Sequence, residues 1–402
     1  MDAYVARQPI FDKRKKLFAY ELLFRDGLAN YVPKIDGDAA TSKVLSSSFF
    51  TIGLDRMTGG KRAFINFTQN LLVSDFPLMF PRETTVVEIL EDVNPDKNVI
   101  EACEKLSKAG YKLALDDFVF RQELKPLIEL ADIIKIDFRL TPISEIKELI
   151  ARSEFNNIKL LAEKVETIEE FWSALDMGFS YFQGYFFSKP EIIRGKEISS
   201  TSLQLLEVIA EVNKPEYDIK RLELLISRDI SISYKLLRYI NSAFFRRRGE
   251  ITSIKQAVFV LGKTELSRFI SLIVMSQISS DKPDELIRNS CVKAKFCEGL
   301  GRVSGCGIPV AELFMLGLFS NIDAILDQPM KEIMEKLPLP QNIIDALVSG
   351  EGEAVSFLRL IEAYERGNWD KVGEYASQCR VAGDSVPQIY FEACQWANEL
   401  VI

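Results

Sequence analysis

Tyr111-Lys112-Leu113-Ala114-Leu115-Asp116-Asp117-Phe118 is a short apolar run that stops on two adjacent carboxylates. The same device recurs on both sides of it. Upstream, Thr85-Val86-Val87 stops on Glu88 and Ala63-Phe64-Ile65 stops on Asn66, while Glu21 opens Glu21-Leu22-Leu23-Phe24-Arg25. Downstream, Ile158-Lys159-Leu160-Leu161-Ala162 stops on Glu163, and Phe179-Ser180-Tyr181-Phe182 stops on Gln183. From Glu88 through Asp116, Lys135 and Glu163 to Gln183 the gaps are 28, 19, 28 and 20 residues. Each is about the length of one helix plus one strand in a β/α barrel, a fold whose functional groups sit at the carboxyl ends of its strands. The spacing therefore predicts a TIM-like barrel with polar groups gathered on one face. A cluster of hard oxygen donors suits Mg²⁺ or Mn²⁺ better than zinc.

The chain has 402 residues, enough for two or three domains with real cores. Its net charge of −8 provides no general attraction to nucleic acid, so no DNA or RNA partner is expected. Met1-Asp2-Ala3-Tyr4 does not open like a signal peptide, and the longest apolar stretch, Phe269 to Met275, is too short to span a bilayer. A cytoplasmic protein without a membrane partner is expected. The six cysteines show no Cys-x-x-Cys spacing and read as buried, reduced thiols. The chain contains no histidine. That excludes a His-Asp metal site, a Ser-His-Asp triad and an imidazole base. Any hydrolysis must draw on carboxylates, a lysine and water activated by a metal.

The character of the sequence changes near residue 200. Before it, β-branched runs alternate with helical ones such as Asp96 to Ala109 and Ile168 to Met177, each followed by a glycine stop. After it, the text is almost wholly helical. Leu203, Leu206, Val208, Ile209 and Val212 form one apolar stripe, and Leu222, Leu225 and Ile226 begin the next. The predicted division is 1–198 as a barrel and 199–402 as an all-helical domain.

Taken together, these motifs resemble two families. Glu21-Leu22-Leu23-Phe24-Arg25, Ile65-Asn66-Phe67, Glu88-Ile89-Leu90-Glu91, Leu115-Asp116-Asp117-Phe118, Lys135-Ile136-Asp137, Ala162-Glu163-Lys164-Val165-Glu166 and Gln183-Gly184-Tyr185 are similar, in order, to the motifs of EAL domains. Those domains hydrolyse or bind cyclic di-GMP. The segment from Arg228-Asp229-Ile230-Ser231 to Asn241-Ser242-Ala243 resembles the HDOD domain, an all-helical relative of the HD hydrolases that lacks their metal ligands. The combination covers essentially the whole chain and implies a bacterial signalling protein.

The resemblance implies that Glu21, Asn66, Glu88 and Asp116 hold a first divalent ion, with Asp116 bridging to a second near Asp117 and Glu163. It places Lys135 beside the attacking water, Gln183 in the same hydrogen-bond network, Arg25 on the phosphate or guanine of cyclic di-GMP, and Glu91 as a brace for the loop after the Asp pair. One departure stands out. Val119-Phe120-Arg121-Gln122-Glu123 replaces the Gly/Ser-rich loop usual after Asp-Asp-Phe, and it has no glycine for a tight turn. Three classes stay open: a cyclic di-GMP phosphodiesterase yielding the linear dinucleotide pGpG, a catalytically silent sensor of that nucleotide, and a scaffold. The helical half is expected to act by contact, through a homodimer or a signalling partner. Phe244-Phe245 beside Arg246-Arg247-Arg248 is a candidate docking surface, and Lys13-Arg14-Lys15-Lys16 reads as a hairpin turn.

Overall fold

The computed structural model describes residues 3–26, 54–152, 155, 157–186, 200–214, 216–241, 251, 253–279 and 282–400. The expected barrel followed by an all-helical region is what it shows. Eight strands close in sequence order: β1 (Ala3–Asp12), β2 (Leu17–Asp26), β3 (Arg62–Phe67), β4 (Thr85–Ile89), β5 (Lys112–Leu115), β6 (Ile133–Asp137), β7 (Lys159–Glu163) and β8 (Tyr181–Gln183). Strands β2 to β8 run parallel, whereas β1 is antiparallel to both of its neighbours. The reversal is made by the turn at Lys13–Lys16. Asp12 Oδ1 accepts from the amides of Arg14 and Lys16 at 2.8 and 2.9 Å, and Lys15 takes a left-handed φ of 57°.

Side chains along a strand alternate between faces, so one residue in two points into the barrel. Each strand contributes one such residue to an apolar floor: Ile10, Ala19, Phe64, Val86, Ala114, Ile133, Leu161 and Tyr181, all buried. The helices outside are set by their own sequence. Asp96 caps Lys97–Lys108 by accepting from the amide of Val99 at 3.0 Å, and Thr167 with Glu170 forms a capping box on Ile168–Asp176.

Contacts group the chain into two compact units. The first comprises 1–189 with 362–377 and 382–398; the second comprises 190–361 with 378–381 and 399–402. The sequence expectation draws a single break at 198/199, whereas the contacts return the last helices to the barrel unit. In the second unit Leu206, Val208, Ile209 and Val212 are buried on the helix Ser200–Asn213 as expected. Leu203 is not: it is 40% exposed, and Leu205 is buried in its stead. At about 100° per residue, position 203 lies roughly 150° from the mean direction of the buried set around the helix axis. Five of the six cysteines are buried, Cys306 is partly so, and all are free thiols. Among the described residues no helix is long and apolar enough to cross a membrane. Phe244, Phe245 and Arg246 to Arg248 lie outside the described residues.

Candidate active site

One pleat above the apolar floor the barrel interior turns polar. The floor residues of β2 to β8, counted two residues on, become Glu21, Asn66, Glu88, Asp116, Lys135, Glu163 and Gln183. Strand β1 runs the other way, so its contribution is two residues back, at Gln8. The period of two thus converts one ring of eight apolar residues into a ring of eight polar ones. Backbone hydrogen bonds pin the Asp pair there. The Asp116 amide donates to the Ile89 carbonyl at 2.9 Å, and the Phe118 amide donates to the Lys135 carbonyl at 3.0 Å. Asp117 between them takes a φ of 37°. Gly184 closes β8 at φ 145°, where a Cβ would lie 1.9 Å from the Val165 carbonyl oxygen, so only glycine fits.

Lys135 is the hub. Its buried ammonium contacts Glu88 and lies 2.7 Å from Asp116 Oδ1, 2.8 Å from Glu163 Oε1 and 3.5 Å from Glu21 Oε2. Gln183 Nε2 donates to Glu21 Oε2 at 2.6 Å and to Gln8 Oε1 at 2.9 Å, while Asn66 Nδ2 lies 3.4 Å from Glu21 Oε1. Beside the ring, Lys164 contacts Asp137 and lies 3.8 Å from Asp117. Like charges 4 Å apart repel by about 4 kcal/mol at an effective dielectric near 20. Four carboxylates around one buried ammonium are therefore under strong electrostatic pressure to protonate or to bind cations.

The titration behaviour reports that pressure. Burial pushes Glu88 well above the ordinary carboxylate range, against the pull of Lys135. Burial, with Asp116 and Glu21 nearby, pushes Glu163 up to about 8. Burial and Asp116 raise Asp117. Burial opposes the charge of Lys135, but Glu163, Glu21, Glu88 and Asp116 outweigh it and hold the ammonium well above its usual value. Asp137 is the exception. Burial opposes its charge too, yet Lys164 and the amides of Arg139 and Leu140 keep it below the usual range.

The donor set fits a divalent ion. Asn66 Oδ1, Glu88 Oε2, Asp117 Oδ1, Glu163 Oε2 and Gln183 Oε1 are all buried and accept no hydrogen bond from the described residues. Buried acceptors are normally satisfied, and four such oxygens in one ring with a fifth on Asp117 beside it, all hard donors, match Mg²⁺ or Mn²⁺ chemistry. Carboxylate oxygens of Asp116, Asp117 and Glu163 lie within 4.8 Å of one another.

Of the sequence-predicted site residues, Glu21, Asn66, Glu88, Asp116, Lys135, Glu163 and Gln183 meet in this ring and Asp117 lies beside it, whereas Glu91 does not join it. Glu91 is exposed on the loop after β4, where its main-chain carbonyl accepts from Arg121 Nη2 at 3.2 Å. It lines a cavity of about 210 Å³ with Asp116, Asp117, Phe118 and Arg121. The Arg25 side chain lies outside the described residues. Sequence reading missed Gln8 and Lys164. The ring's alternation with the floor reveals Gln8 only once the direction of β1 is known.

The EAL domain model matches residues 50–190, and the HDOD domain model matches residues 199–337. The chain is similar to an uncharacterized protein, YuxH, of Bacillus subtilis, at 37% identity over all of this chain and 99% of that one. It is also similar to the cyclic di-GMP phosphodiesterase CdgJ of Vibrio cholerae, at 38% identity over 99% of this chain and 93% of that one. Among solved structures, an EAL domain protein of Listeria monocytogenes superposes with a TM-score of 0.39 at 22% identity, covering 46% of this chain and 87% of the other. Two domain matches in order, with end-to-end similarity to these relatives, place the chain in the family of EAL–HDOD proteins.

Proposed function

We propose that the chain is a cytoplasmic cyclic di-GMP phosphodiesterase that opens the ring of the dinucleotide to linear pGpG, with Mg²⁺ or Mn²⁺ as cofactor. The observation that carries this reading is the set of five buried oxygens in and beside the polar ring that have no hydrogen-bond partner among the described residues. Similarity to CdgJ, a cyclic di-GMP phosphodiesterase by name, supports the substrate.

Glu21, Asn66, Glu88 and Asp116 would hold one ion, and Asp116, Asp117 and Glu163 a second. Such ions, when bound, neutralise phosphodiester charge and make water a nucleophile at neutral pH. The chain's own groups do the rest. Lys135, charged and immobilised by carboxylates, orients the water and faces the negative charge that develops on phosphorus oxygens. Glu163, with its raised proton affinity, is matched to accept the water's proton near neutral pH. Water adds across one P–O ester bond, leaving a phosphate monoester and a hydroxyl. Gln183 and Gln8 hold Glu21, Glu91 braces the loop carrying the Asp pair through Arg121, and Arg25 is assigned to the nucleotide. The helical module from residue 199 is assigned to regulation, through a homodimer or a signalling partner.

Purified protein given cyclic di-GMP with Mn²⁺ or Mg²⁺ should accumulate pGpG, and a Glu21→Ala control should not. The sensor reading is favoured by one feature, the glycine-free loop whose Val119 is 67% exposed. Nucleotide binding without turnover under either ion would select it.

The raised carboxylates also set a pH dependence. A carboxyl whose folded pKa lies above its unfolded value keeps more protons folded than unfolded. Its stabilisation is full below about pH 4.5 and is lost as pH rises through the folded value. With Glu163 raised to about 8 and Glu88 raised well above the ordinary carboxylate range, metal-free protein should lose thermal stability between about pH 4.5 and 8. Divalent ions displace those protons, so Mn²⁺ should raise the melting temperature more at pH 8 than at pH 6. Melting curves in EDTA and in Mn²⁺ across that range check both slopes.

A further inference from the structure

We propose that the C-terminal turn Glu365-Arg366-Gly367 is a positioning element of the polar ring, an inference that rests on reading the ring as a metal centre. The turn belongs to the same compact unit as the barrel, though some 340 residues separate it from β2 in sequence.

Three contacts join it to the mouth of the barrel, each at a ring residue or two residues beyond one. Gln8 Nε2 donates to the main-chain carbonyl of Glu365 at 3.2 Å. With its donor end held there, Gln8 turns its oxygen to Gln183, whose Nε2 donates to Gln8 Oε1 at 2.9 Å and to Glu21 Oε2 at 2.6 Å. Gln183 Oε1 is left as a buried acceptor in the ring. The Arg366 guanidinium lies 4.8 Å from the ring centroid of Tyr185, two residues after Gln183. Gly367, at φ 66°, approaches Leu23 so closely that a Cβ would lie 2.9 Å from Leu23 Cδ1, and Leu23 is two residues after Glu21.

The turn is itself held firmly. Tyr364 and Tyr390 are fully buried with ring centroids 4.5 Å apart. Trp369 packs edge-on to Tyr364 at 5.2 Å and to Tyr4 of β1 at 5.8 Å. Aromatic groups so packed fix orientation as well as burying area. The consequence is a short relay from the Glu365 carbonyl through Gln8 and Gln183 to the carboxylate of Glu21. Such outer hydrogen bonds set the direction of metal-ligating oxygens.

The test is calorimetric titration of the full-length protein with Mn²⁺ alone, with melting curves in EDTA to confirm that each variant is folded. Gln8→Ala should weaken Mn²⁺ about tenfold, the low end for loss of an outer partner. Arg366→Ala should weaken it roughly threefold or more through Tyr185 and the turn. Because both act on one relay, the double variant should bind no more weakly than the worse single one by more than about twofold. Arg366→Lys, which keeps a cation over Tyr185, should restore affinity. If Arg366→Ala fails to fold, Arg366→Gln carries the same expectation with its stem retained. Wild-type affinity in the folded Arg366 variant, or fully multiplicative effects in the double variant, overturns the positioning role. Wild-type protein that binds no Mn²⁺ overturns the metal reading itself, a separate and recognisable failure.

Discussion

Replacing Lys135 with alanine is expected to lower turnover of cyclic di-GMP by on the order of 10²–10⁴, with a smaller effect on nucleotide affinity. Lys135 sits at the centre of the ring with its charge secured by Glu88, Asp116, Glu163 and Glu21. It is thus available to oppose charge that appears only in the transition state, which is why kcat should fall more than binding. The same substitution should destabilise the metal-free protein by about 3–5 kcal/mol, the usual cost of leaving buried charges without their partner. Saturating Mn²⁺ should recover much of that loss by supplying positive charge to the same carboxylates. Steady-state kinetics and urea unfolding with and without Mn²⁺ separate the two effects. Equal loss of stability in both conditions would mean that the ions do not bind where Lys135 does.

The second large effect is expected at Asp116. Its Oδ1 lies against Lys135, and its carboxylate clusters with those of Asp117 and Glu163. In the proposed site it is the side chain assigned to both ions. Losing an outer partner of a metal site costs 10–100-fold in affinity, so losing a shared ligand should exceed roughly 100-fold. Asp116→Ala should therefore abolish measurable Mn²⁺ binding by calorimetry and leave no turnover. Removing one partly buried negative charge also relieves repulsion on Glu88 and Glu163, so the metal-free variant should melt no lower than wild type at pH 8. A shift in affinity without loss of binding would reduce Asp116 to a neighbour of the site.

How far the sequence showed this follows from strand geometry. Asn66, Glu88, Asp116, Glu163 and Gln183 each end an apolar run, and in parallel strands that end is the functional one. They could be read before any coordinates. Gln8 could not, because β1 is antiparallel and its polar residue precedes its floor residue Ile10 in sequence. Lys164 was hidden for another reason. A lysine after a strand is ordinarily solvated, and only its left-handed φ of 55° brings it to Asp137 and Asp117. Glu91 shows the converse. A motif position reveals which residue is present but not where it points, and this one faces solvent. The helical stripes were legible as core, yet nothing in Tyr364, Trp369 or Tyr390 distinguishes packing on β1 from packing among the helices. That partner choice is a tertiary fact without a local signature.

The central claim is that the polar ring above the barrel floor is a divalent-metal centre, and anomalous scattering tests it most directly. Crystals of the full-length protein grown with Mn²⁺ should show anomalous density inside the ring, within coordinating distance of Asn66 Oδ1, Glu88 and Asp116. Well-occupied Mn²⁺ found only elsewhere on the protein, or a ring still closed by Lys135 with no density at saturating Mn²⁺, would contradict it.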